Sequence, residues 1–301
     1  MITTKNLTKS FDDYKAVNNI TCTIPDGCIY GMVGSNGAGK STFLRLITGV
    51  YKPDEGSIDF DGQPVFDNPD VKKRIAYVPD ELFFLHSASI ESMTKFYNNI
   101  FPNFQIDKCM KLTEKFKLNP KQNINTFSKG MKRQAAILLA LSTNPDYMFF
   151  DETFDGLDPV MRNLVKNLIC EDVLERKATA IITSHSLREL EDICDQLALL
   201  HQGGLVLEND INNLKTQNFK VQIAFKKDYD ESLFKGLIEY TSFNKFGSIS
   251  TMIIKGDKEE TVAKLNSLKP VLLDVLPLTL EEVFTYEMTA LGYNFDKELE
   301  D

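Results

Sequence analysis

Gly34-Ser35-Asn36-Gly37-Ala38-Gly39-Lys40-Ser41 follows the apolar run Cys28–Val33 and precedes a stretch, Ser41–Thr48, whose apolar residues recur at helical spacing. Strand, glycine-rich turn of the form G-x-x-x-x-G-K-[ST], then helix is the order in which backbone N–H groups can wrap a phosphate. The helix N-terminus adds partial positive charge. Lys40 is placed to reach the β- and γ-phosphates, and the Ser41 hydroxyl to ligate Mg2+. Thr42 is expected at the α-phosphate. These residues predict a nucleoside triphosphate site cradled by Gly34, Ser35, Asn36, Gly37, Ala38 and Gly39.

On the N-terminal side, residues 1–30 alternate polar and apolar and read as two antiparallel strands leading into a buried third. On the C-terminal side, SIDFDGQPV reads as strand–turn–strand with Asp61-Gly62 at the turn. IAYVP (75–79) is a short strand ended by proline. From about 82 to 142 the pattern turns helical: IESMTKFYNNIF, DKCMKLTEKFKL and GMKRQAAILLALS each place apolar residues three and four apart. Strands and helices then alternate again through YMFF, PVMRNLVKNLICEDVL, ATAIITS and LRELEDICD. LALL and LVLEN follow as a hairpin across Gly203-Gly204. The fold class expected is α/β: a mostly parallel sheet, an antiparallel β subdomain and a helical insertion.

Beyond the polar stretch Asn212–Asn218 the cadence changes to β-α-β-β-α-β, the split-βαβ, ferredoxin-like order. Two domains are therefore expected, 1–215 and a small α+β domain over 216–301, ending in a last helix and an acidic tail. The second domain is expected to pack or to support a dimer, because no charged or aromatic constellation in it points to a ligand.

Composition bounds the function. The 301 residues are 43% apolar and 26% charged, and the net charge is −9, which argues against a nucleic-acid partner. Five scattered cysteines form no C-x-x-C pair, so neither a zinc site nor a disulfide framework is expected. The N-terminus has no apolar core of a signal peptide, and no stretch is long enough to span a bilayer. The expected location is cytoplasmic, with any work in a membrane done through a partner.

Two further segments carry chemistry. Tyr147-Met148-Phe149-Phe150 is an apolar run ending in Asp151-Glu152. Beside a phosphate loop, Asp151 would hold Mg2+ and Glu152 would orient or deprotonate the attacking water. No Asn-Lys-x-Asp motif for guanine occurs, so adenine is the expected base. Phe127-Ser128-Lys129-Gly130-Met131 places Ser128 at the N-cap of a long helix, with open N–H groups and the positive end of its dipole.

Taken in order over residues 3–210, these motifs resemble those of ABC-transporter ATP-binding subunits, P-loop NTPases of the ABC ATPase type. FSKGM stands where the family usually has LSGGQ and is similar to the variant found in ABC-2 exporters. The resemblance implies that Phe11 stacks on adenine, with Tyr14 as the alternative. It makes His185 a switch residue at the γ-phosphate and Gly156-Leu157-Asp158 a loop crossing a dimer interface. Asp158-Pro159 also reads as a helix cap followed by proline at the first helical position. His86 and His201 match no motif. The glutamine that the family places after the IAYVP strand is Asp80 here, an acceptor-only carboxylate that would touch Mg2+ or water and add negative charge beside the γ-phosphate.

The resemblance further implies an ATPase subunit that dimerises head to tail on ATP, with Ser128 and Gly130 of one subunit completing the other's site. A polytopic membrane permease would dock on the helical insertion and hold the pair at the inner face of the membrane. A non-transport ABC ATPase in a cytosolic complex is the alternative. Tandem ATPase halves or long coiled coils, which would favour it, are absent from this sequence.

Overall fold

The computed structural model describes residues 1–211, 218–276, 278–282 and 285. They group into two compact units, Met1–Glu208 and Asn209–Asp301.

The first unit has two sheets. β1 (Ile2–Phe11), β2 (Tyr14–Ile24), β4 (Glu55–Phe60) and β5 (Gln63–Pro64) form an antiparallel sheet in the order β2-β1-β4-β5. A six-stranded sheet runs β10-β9-β3-β8-β7-β6. Its strands are β3 (Ile29–Val33), β6 (Ile75–Val78), β7 (Tyr147–Asp151), β8 (Thr179–Ser184), β9 (Gln196–His201) and β10 (Gly204–Asp210). From β9 to β6 every pairing is parallel. β3, β7 and β8 are buried along their whole length, so they read as continuous apolar runs rather than alternating ones. Ile2, Val17 and Phe60 of the antiparallel sheet, Tyr30 and Phe149 of the parallel one, and Phe43 and Leu46 of α1 (Lys40–Ile47) share one core.

Helices connect the parallel strands: α2 (Pro69–Lys72), α3 (Ile90–Ile100), α4 (Ile106–Lys115), α5 (Lys129–Ser142), α6 (Pro159–Arg176) and α7 (Leu187–Glu191). The helical stretch expected over 82–142 is α3, α4 and α5. The β9–β10 turn falls at Gln202-Gly203, whose φ angles of 46° and 78° suit a tight hairpin, one residue earlier than expected. α7 stops at Glu191, short of the expected LRELEDICD span.

In the second unit, β11 (Asn218–Ala224), β12 (Ser242–Phe246), β13 (Ile249–Lys255) and β14 (Leu272–Leu276) form an antiparallel sheet in the order β12-β13-β11-β14. That is the strand order of the ferredoxin-like fold, with α8 (Lys258–Ser267) between the last two strands. Val221, Ile223, Phe234, Met252, Ile254 and Leu265 form a core separate from that of the first unit. The first expected helix, ESLFKGLI, is one 3-10 turn over Glu231–Phe234. Gly236, at φ +80°, takes the chain out of helical geometry before a second turn can form. The expected linker over 212–217, and the last helix and tail beyond Glu282 apart from Thr285, lie outside the described residues.

Candidate functional site: a phosphate loop facing two carboxylates

Phe11, Tyr14, Asn36–Thr42, Asp80 and Glu152 line one cavity of about 330 Å³. Tyr14 meets the loop at Gly37, and Glu152 meets it at Lys40. Phe11 is 41% exposed and meets Tyr51 edge-on, with ring centroids 5.6 Å apart. The Tyr14 hydroxyl donates to Gly37 O at 2.9 Å, so this ring is pinned to the loop itself. Both aromatic candidates therefore border the cavity.

The loop owes its path to glycine. Gly39 caps α1 at φ +101°, and a Cβ there would sit 2.3 Å from Ala16 O. No other residue type fits both the conformation and the space. Lys40, 6% exposed, is held from inside by three oxygens: Gly34 O at 2.6 Å, Ser35 O at 3.1 Å and Glu152 Oε1 at 3.2 Å. A phosphate oxygen entering the cradle competes with these for the ammonium.

β7 and β8 set the acids. Asp151 is fully buried and pairs across the sheet with Thr183. It accepts from Thr183 Oγ1 at 2.7 Å, Ser41 Oγ at 3.0 Å and Tyr77 Oη at 3.4 Å. Burial raises the pKa of Asp151, the hydrogen bonds from Thr183 and Ser41 lower it, and the charges of Asp80 and Glu152 raise it. A cation beside Ser41 and Asp151 would relieve that burial penalty. Hard oxygen donors with few carboxylates suit Mg2+, which keeps waters and phosphate oxygens in its shell.

Glu152 leaves the strand at φ +47°, a region non-glycine residues seldom occupy. The turn aims its carboxylate back at the loop lysine. Its N–H is held by Thr183 Oγ1 at 3.0 Å, and its Oε2 lies 2.9 Å from His185 Nδ1 and 3.2 Å from His185 N. Strain of this kind, held in place by several bonds at the end of a strand, is a feature of reaction centres.

Ser128, Gly130 and Asp158 do not line this cavity. Ser128 caps α5, accepting from Met131 N at 3.2 Å, and Asp158 caps α6, accepting from Met161 N at 3.0 Å. The two caps belong to one surface: a Cβ on Gly130 would lie 2.9 Å from Gly156 O, and Lys129 Nζ bonds Asp155 Oδ2 at 3.1 Å.

Asp80 borders the cavity but is held from behind by Arg133 of α5, Nη2 to Oδ1 at 2.9 Å. Sequence reasoning missed Arg133, and also Thr183 and Tyr77, which orient Asp151. The signal for Arg133 was the acid itself, because a carboxylate set among phosphates calls for a cation.

A family model described as ABC transporter matches residues 17–155. ABC transporter ATP-binding protein YtrB of Bacillus subtilis is 31% identical over 284 residues, covering 94% of this chain and 97% of the relative. This chain belongs to the ABC transporter ATP-binding proteins. As an ABC ATPase subunit it binds and hydrolyses ATP. Bacitracin transport ATP-binding protein BcrA of Bacillus licheniformis is 31% identical over 226 residues, 73% of each chain. A solved ATP-binding subunit of an ABC transporter shares the fold at TM-score 0.66 and 24% identity, covering 72% of this ABC ATPase and 92% of that chain. A dimeric bacterial ABC transporter cassette superposes at TM-score 0.64 and 20% identity, covering 70% of this chain and 99% of its own.

Proposed function

We propose that this ABC ATPase subunit works as one half of a head-to-tail pair and powers export through a separate membrane-embedded subunit. One observation carries the reading: Lys40, Ser41 and Glu152 line one cavity with Asp151 and His185 bonded to them, while Ser128, Gly130 and Asp158 do not line it and cap or join other elements of the same unit. The groups that the family resemblance assigns to a partner's site are therefore offered away from the chain's own nucleotide site. A second subunit, a copy of this chain in the simplest case, brings them to it.

In this reading Phe11 and Tyr14 hold the base and Asn36–Thr42 hold the phosphates. Ser41 and Asp151 would hold Mg2+, which would supply charge neutralisation to the phosphates. Glu152 accepts the proton of the attacking water, and His185 orients Glu152 and reaches the γ-phosphate. Closure of the pair excludes water and completes the set with the partner's Ser128-capped helix. Export is favoured by relatives whose names give bacitracin and lantibiotic transport. Among the described residues no helix is long and apolar enough to cross a membrane. In this reading a partner supplies the membrane path and the subunit sits at its inner face, as the family resemblance implies.

Ser128→Arg tests the pairing. A bulky cation at the N-terminus of α5 blocks the approach of a second subunit's phosphates. ATP affinity of the monomer is expected to stay within about twofold, while ATP-dependent dimerisation disappears and turnover falls roughly 10²-fold or more. Equal losses in monomer binding and turnover would sink the reading.

The first unit is proposed to be the ATPase by itself. A chain ending near Lys215 is expected to fold, to bind ATP with similar affinity and to gain thermal stability from Mg-ATP. Differential scanning fluorimetry decides it: an insoluble product, or a melt that ATP does not move, places the second unit inside the ATPase core.

A further inference from the structure

Arg133 is the most deeply buried cation described in the first unit, 1% exposed, on the inward face of α5. Its guanidinium has two partners, Pro79 O at 2.9 Å and Asp80 Oδ1 at 2.9 Å, and its Nε has none. Both partners belong to the turn that ends β6, and Asp80 is also a wall of the nucleotide cavity. One ion pair thus joins the wall of the chain's own site to the helix whose N-cap is Ser128.

The charge arithmetic at that end of the cavity needs this pair. Asp80, Asp151 and Glu152 are three carboxylates, and among the described residues Lys40 is the only cation lining the cavity. A triphosphate adds several negative charges. Arg133 offsets one of the three acids without entering the cavity itself; its side chain is 1% exposed, while the Asp80 side chain, 47% exposed, is open to solvent at the cavity. Its planar fork meets one carboxylate oxygen and one carbonyl at once, and its charge is what offsets Asp80.

We propose that Arg133 is a positioning residue for ATP. It neutralises and aims Asp80 at the γ-phosphate end of the site, so that this pocket works with a carboxylate where the family resemblance expects a glutamine. The inference rests on the ATPase reading above.

The test is a double-mutant cycle on the full chain, reading Kd for ATP and for ADP with Mg2+ present. Arg133→Gln leaves Asp80 charged and unpaired beside the last phosphate. ATP affinity is expected to fall on the order of tenfold while ADP affinity changes by less than about twofold. Adding Asp80→Gln to Arg133→Gln removes the stray charge and is expected to restore the ATP/ADP ratio. Arg133→Lys keeps the charge and is expected to hold the ratio near wild type, which covers the case that Arg133→Gln does not fold. In that case Asp80→Asn, which strips the carboxylate and leaves the Arg133 charge unopposed, is expected to raise ATP affinity relative to ADP, and an unchanged ratio overturns the proposal. Equal losses of ATP and ADP affinity in Arg133→Gln, or no recovery in the double variant, overturn the proposal. A wild-type chain that binds no ATP overturns the nucleotide-site reading as well.

Discussion

Turnover by Glu152→Gln is expected to fall about 10²–10⁴-fold, the range over which a general base contributes to proton transfer. ATP affinity should be unchanged or a few-fold tighter. The reason lies in the Lys40–Glu152 contact of 3.2 Å. In the native chain the carboxylate competes with phosphate oxygens for the lysine, and an amide competes less well. The variant should therefore hold ATP and, in the paired form, fail to release it. Size-exclusion chromatography with Mg-ATP should show an accumulated dimer for Glu152→Gln that wild type shows only transiently. Wild-type turnover in the variant would remove Glu152 from the reaction, and low turnover without the trapped dimer would remove the link between hydrolysis and reopening.

Lys40→Ala should abolish measurable ATP binding. Among the described residues the lysine is the one cation lining the cavity, it is buried, and its charge-assisted bonds to phosphate form with little screening. Losing one partner of such a buried pair costs about 3 kcal/mol or more, which is at least ~10²-fold in Kd. The fold should survive, because what the lysine holds, Gly34 O, Ser35 O and Glu152, borders a water-accessible cavity. Isothermal titration with Mg-ATP checks the affinity, and a melting curve without nucleotide checks the fold. Retained ATP affinity with an intact fold would contradict the assignment of the phosphate loop.

The residues legible beforehand were those whose chemistry depends on local spacing. Gly34 to Ser41 announce themselves because wrapping a phosphate requires glycines and one lysine at fixed separations. Asp151-Glu152 and His185 stand out because each ends an apolar strand. Ser128 and Asp158 are readable as caps for the same local reason. What remained hidden depends on contacts between distant segments. Arg133 lies among helical residues whose apolar periodicity says "buried", and nothing local says that a buried position there holds a guanidinium. Thr183 reads as one more β-branched strand residue until the β7–β8 register sets it beside Asp151. ESLFKGLI has helical spacing, yet Gly236 ends it after one turn, a case where backbone freedom overrules periodicity.

The pairing of Asp151 with Thr183 has a consequence for how such chains change over time. The distance between the reacting side chains is set by strand register, not by the length of chain connecting the strands. Val78 pairs with Phe150 and Phe150 with Ile182, so Asp80, Glu152 and His185 emerge side by side from three adjacent strand ends. Connections between those strands can gain or lose residues at a small entropic cost, about 0.6 kcal/mol for each doubling of a flexible loop. A single-residue slip within β7 or β8, by contrast, turns Thr183 away from Asp151 and reverses every side chain along the strand. Insertions and deletions should therefore accumulate in the segments 101–105 and 116–123 between helices, while the short strands and the capped starts of α5 and α6 stay constant. Relatives of different overall size can then share one reaction centre.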